Sequence, residues 1–103
     1  MSGERSAIRV VVRGRVQGVG DRAWTQHQAE LHDLTGWVRN LSDGAVEAVL
    51  IGPAEPVGTM IRAMAEGPRG AAVESLEEYP ASREEAGSVA RAGFEIRRSA
   101  DPG

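Results

Sequence analysis

The chain has 103 residues and a 41% hydrophobic content, enough to bury one core and too short for a second domain. Its net charge is −3, which argues against a broad nucleic-acid surface, because phosphate backbones need clustered positive charge; that all twelve basic residues are arginine carries no mechanism. Cysteine is absent, excluding disulfides and thiol chemistry, and no apolar run approaches the length of a signal or membrane segment. A soluble cytoplasmic protein with no nucleic-acid or membrane partner is expected.

Residues 1–6 are polar and read as a tail ahead of one folded unit, residues 7–98. Residues 7–13 alternate as a strand, with Ile8, Val10 and Val12 on one face and Arg9, Val11 and Arg13 on the other. Then comes Gly14-Arg15-Val16-Gln17-Gly18-Val19-Gly20-Asp21-Arg22. Its three glycines let the backbone take φ > 0 and turn successive N–H groups inward. With a helix N-terminus behind them, such groups form a concave anion site. Arg22 stands where that helix begins and can add a planar fork of charged donors. A small phosphate or carboxylate group suits this chemistry; a merely tight strand-to-helix turn is the competing reading.

Residues 23–31 have helical spacing, with Trp24, His27, Gln28 and Leu31 on one face and Asp21 as N-cap. Trp24 reads as a core or edge anchor. His27 and His32, five apart, share no helical face and have no carboxylate to complete a ligand set, so no metal is expected. Residues 35–41 form a second strand, Ser42-Asp43-Gly44 a hairpin turn, and residues 45–51 the returning strand. Residues 57–65 place Val57, Met60, Ile61 and Met64 on one side of a second helix, ended by Gly67-Pro68-Arg69-Gly70. Residues 71–79 read as a fourth strand and 80–92 as a polar, acidic surface loop. Residues 93–97 form a short last strand, and 99–103 a frayed C-terminal tail.

This order is α+β, a ferredoxin-like split βαβ (βαββαβ) sandwich with two helices on one face of an antiparallel sheet. Its first and third strands lie side by side at the centre, which brings Asn40 near the glycine loop. Asn40 offers an amide donor and a carbonyl acceptor but almost no basicity.

The run G-R-V-Q-G-V-G-x-R ending at Arg22, then Ala29, T-G-W-V-R-N ending at Asn40, D-G, V-E, G-P and G-P-R-G-A resembles the acylphosphatase family over residues 13–73 and again over 94–97. The resemblance implies a small enzyme, expected as a monomer, that hydrolyses acyl phosphates to a carboxylate and inorganic phosphate with no metal or cofactor. It gives Arg22 the phosphoryl group and Asn40 the attacking water. The backbone of Arg15, Val16, Gln17, Gly18, Val19 and Gly20 becomes the phosphate cradle. A carboxylate leaves readily without a strong general acid, so positioning and charge stabilisation are what the protein must supply. Asn40 cannot take the water's proton, which leaves a phosphate oxygen of the substrate to do so.

Asp21 stands where that family usually has an aromatic residue, and His32-Asp33 where it usually has Leu-Gly. Asp21 either caps the helix and faces solvent, or stands at the site, where it sets its charge against a bound phosphate, pairs with Arg22 or occupies the loop's own N–H groups. The second case gives an alternative, a catalytically weakened anion- or protein-binding domain. Asp33 has to adopt a left-handed conformation after the helix. An RNA-binding module of similar topology is disfavoured, since its strands would carry an aromatic pair for stacking bases.

Overall fold

Alternating β-branched residues carry the chain into β1 (Arg5–Arg15), two residues longer at each end than the pattern alone suggests. The computed structural model describes residues 5–87 and 93–102, so residues 1–4 of the expected N-terminal tail lie outside the described residues. Arg5 and Ser6 already belong to β1, opposite Pro53 and Gly52. The succeeding elements are α1 (Asp21–Leu31), β2 (Thr35–Asn40), β3 (Val46–Pro53), α2 (Ala54–Glu66), β4 (Ala72–Pro80), α3 (Arg83–Gly87) and β5 (Phe94–Ile96).

The five strands lie in the order β4-β1-β3-β2-β5. The pairs β1–β3, β1–β4 and β2–β3 are antiparallel, but β2–β5 is parallel, so the sheet is mixed rather than antiparallel throughout. After β4 the chain crosses from one sheet edge to the other and enters beside β2 in β2's own direction. At Gly36, φ is 142° and an added Cβ would overlap the Val49 carbonyl oxygen, so only glycine lets β2 approach β3 this closely.

Both long helices cover one face. Val10, Val12, Val38, Val46, Ala48 and Leu50 from the sheet pack against Ala29 of α1 and Val57, Met60 and Met64 of α2. Each large apolar side chain buried this way contributes about 1.5–3 kcal/mol. In α2, Pro56 falls in the first turn, where its missing N–H interrupts no hydrogen bond.

The buried face of α1 differs from the one its apolar spacing indicates. Asp21, Thr25 and Ala29 face the sheet, Leu31 is 64% exposed and His27 is exposed. Small side chains let the helix approach the sheet closely, and size outweighs hydrophobicity here. Trp24 packs partly buried against the core edge. After α1, His32 Nδ1 lies 2.8 Å from the Gln28 carbonyl, and Asp33 takes the expected left-handed conformation at φ 56°.

Arg9, Arg13 and Arg39 lie on the opposite, open face and are paired there. Glu47, buried, accepts from Arg9 (3.2 Å) and Arg39 (2.7 Å), while Arg13 meets Asp43 at 2.9 Å. Part of the expected 80–92 loop is α3, begun by a reciprocal cap. The Ser82 hydroxyl accepts from the Glu85 N–H (2.9 Å), and the Glu85 carboxylate accepts from the Ser82 N–H (2.8 Å). Residues 88–92 of that loop and Gly103 lie outside the described residues. The tail is not frayed at Ala100, which bridges to Leu41. Its N–H donates to Asn40 O (3.0 Å) and its carbonyl accepts from the Ser42 N–H (2.9 Å).

Candidate active site

The glycine loop is shorter than its sequence signature, because Gly14 and Arg15 still belong to β1, opposite Val73 and Ala72. Val16 is 1% exposed and pins the loop into the core. Gly18 and Gly20 both have φ 77°, the left-handed conformation that turns the chain back on itself. Gly20, not Asp21, is the N-cap of α1, and it offers no side-chain hydrogen bond to the first turn. The N–H groups that open a helix are therefore left for whatever occupies the space in front of them.

Gln17 fixes this loop to the β2–β3 hairpin. Its carboxamide donates to both the Leu41 and Ala45 carbonyls at 2.8 Å. The hairpin is itself closed by Asp43, which accepts from the Ala45 N–H at 3.0 Å. That bond, followed by the Arg13 contact, holds the Asp43 carboxyl below its ordinary range. Because Leu41 follows Asn40 directly, the Gln17 link also sets how near Asn40 stands to the loop. Gln17→Ala is expected to lower stability by about 1–3 kcal/mol, the cost of leaving two carbonyls poorly satisfied. It should also lower turnover, measured by chemical denaturation and steady-state kinetics on one preparation.

Loop, helix start and hairpin enclose a cleft of about 220 Å³. Val16, Gln17, Gly18 and Gly20 line one side, Asp21, Arg22 and Ala23 open the helix, and Asn40 and Ile96 close it from the sheet. Of the residues singled out in the sequence, Arg22, Asn40, Val16, Gln17, Gly18 and Gly20 thus come together. Arg15, exposed at the end of β1, and Val19 do not line the cleft. Arg22 is half-buried and has no ion pair or side-chain hydrogen bond among the described residues, unlike the paired arginines of the open face.

Asp21 is the surprise of the site. It is 6% exposed, lines the cleft and has no side-chain partner among the described residues. Two of the readings open for Asp21, the solvent-facing cap and a pair with Arg22, are corrected: with Gly20 as the cap, Asp21 is the first helical residue and points with Thr25 and Ala29 toward the sheet. Burial pushes its carboxyl up to about 6. Sequence spacing could have found this, since positions 21, 25 and 29 share one helix face.

A larger cleft of about 470 Å³ lies on the open face, but the charged side chains there, among them Arg9, Arg39 and Glu47, answer one another. Among the described residues no group of three or more His, Cys, Asp or Glu could hold a metal ion, and no helix is long and apolar enough to cross a membrane.

Comparison with known proteins agrees with this geometry. The acylphosphatase family model matches residues 8–96. An acylphosphatase of Rhodopseudomonas palustris is 53% identical over 73 residues, spanning 71% of this chain and 74% of the relative. One from Rhizobium meliloti is 45% identical over 98 residues, spanning 95% and 99%. The solved acylphosphatase of Coxiella burnetii superimposes with a TM-score of 0.79 at 34% identity, covering 94% of this chain and all of its own. The chain belongs to the acylphosphatase family.

Proposed function

We propose that the protein hydrolyses the carboxyl–phosphate bond of small acyl phosphates, with the phosphoryl group held by Arg22 and the loop N–H groups and the water held by Asn40. The observation that carries this reading is that an unpaired guanidinium, a carboxamide and an uncapped helix start line one small cleft. Water oxygen attacks phosphorus opposite the acyl oxygen, the P–O(acyl) bond breaks, and the carboxylate leaves with the bonding pair. The water's proton passes to a phosphoryl oxygen, because an amide cannot accept it. Arg22 and the backbone N–H groups stabilise the equatorial oxygens without reorganising during the reaction. The role requires neither metal nor cofactor. A cytoplasmic monomer belongs to the same reading.

Phosphate release from benzoyl phosphate tests it. Turnover is expected to be unchanged by excess EDTA and lost on Arg22→Ala. A rate that collapses with the chelator and returns with a divalent ion would overturn the metal-independent mechanism. The buried Asp21 favours a second reading, a weakened enzyme that mainly binds anions or a protein. A silent wild type made active by Asp21→Phe would establish that instead.

A further inference from the structure

The cleft wall holds a buried carboxyl group that the hydrolysis mechanism does not use. Asp21 and Arg22 are adjacent in α1, about 100° apart around the helix, so they do not face each other, and no ion pair joins them. One turn further along the Asp21 face, the Thr25 hydroxyl is fully buried and also unpartnered. The strip of α1 turned toward the sheet thus carries two polar side chains that no group among the described residues answers.

The other charged groups on the packed elements are committed elsewhere. Arg39 of β2 and Glu95 of β5 form ion pairs with Glu47 and Arg97 on the opposite sheet face. Glu55, Arg62 and Glu66 of α2 are exposed, as are Arg15 at the end of β1 and Arg98 beyond β5. Among the described residues Asp21 carries the one carboxyl group that lines the cleft.

A volume of 220 Å³ corresponds to a sphere about 7 Å across, so an oxyanion inside lies within roughly that distance of the Asp21 carboxyl. At about 6 Å and an effective dielectric of about 20, two like unit charges cost about a hundredfold in affinity. A neutral carboxyl group removes that penalty and supplies an O–H donor as well.

We propose that oxyanions enter this cleft together with a proton, which is held on the Asp21 carboxyl and donated in a hydrogen bond to an anion oxygen. The inference rests on the cleft being the phosphate site. Asp21 then acts as a binding residue that makes affinity depend on pH. Burial has already weakened its hold on the ionised form, so the proton is taken up readily near neutrality.

Calorimetric titration with sodium sulfate tests this, since sulfate stays a dianion across the range and any proton taken up comes to the protein. Titrations at about pH 6.5 and about pH 7.5, in two buffers of different ionisation enthalpy, report protons bound per anion. The wild type is expected to take up about one proton per sulfate and to lose about tenfold in affinity over that pH unit. Asp21→Asn is expected to bind sulfate with no proton uptake and a flat pH dependence. Binding by the wild type without proton uptake, or wild-type uptake retained in Asp21→Asn, overturns the proposal. If such binding still vanishes in Arg22→Ala, the phosphate site survives and only the role of Asp21 falls. No sulfate binding under any condition removes both. The wild-type measurement decides the matter even if the variant folds poorly.

Discussion

Arg22→Ala is expected to lower kcat/KM for an aryl acyl phosphate by about 10²–10³, or about 3–4 kcal/mol of transition-state stabilisation. The size follows from the site's economy. Arg22 is the single charged donor lining the cleft among the described residues, and Arg15 lies outside it on an exposed strand end. Because the guanidinium has no partner among the described residues, its removal should leave stability within about 0.5 kcal/mol of wild type. Arg22→Lys keeps the charge but loses the planar fork, so an intermediate loss is expected. Steady-state kinetics beside thermal melts separate these outcomes. An alanine variant within threefold of wild type would take Arg22 out of the chemistry.

The second large effect is on stability. Asp21 titrates at about 6 in the folded chain against an ordinary 3.8, because burial penalises its charged form. Between those values the folded state binds more protons than the unfolded one, so this group's contribution falls as pH rises. It is fully present below pH 3.8 and lost as pH passes through about 6. At pH 7 the ionised carboxyl is therefore a net cost, about 2 kcal/mol after allowing for partial screening at the cleft mouth. Asp21→Asn should recover about that amount at pH 7 and nothing near pH 4. The quantity to measure is the wild-type minus variant difference in denaturant stability across pH, which cancels carboxylates such as Asp43 that shift the other way. A difference that stays constant from pH 4 to 7 would mean that Asp21 is not desolvated.

Much of this was readable in advance, and the failures share a cause. Strand alternation fixed which face of β1 entered the core, because a one-residue slip would have buried Arg9 and Arg13. The cleft residues on the loop, Arg22 and Asn40 were legible from motif spacing. The face of α1 was not, since counting apolar residues ignores how closely a helix approaches a sheet. Thr25 and Ala29 are buried because they are small, and Leu31 is exposed despite being apolar. Asp21 followed from the same error, compounded by placing the cap one residue late. The direction of β5 could not be read from three residues, as the path of the crossing chain sets it. The bonds of Gln17 to Leu41 and Ala45 join segments 24 and 28 residues apart, and no local pattern reports such a bond. The cap of α3 was visible as Ser82-Arg83-Glu84-Glu85, but acidic composition masked it.

The pairing of Ala100 beside Asn40 has a practical side. The backbone that carries Asn40 is gripped by Ala100, so the segment after β5 serves as a brace for one wall of the cleft. Anything that pulls on residues 97–100, such as a purification handle or a fluorescent fusion joined close behind them, will tug on the brace. Loss of turnover in a protein tagged there would then report the tag rather than the chemistry.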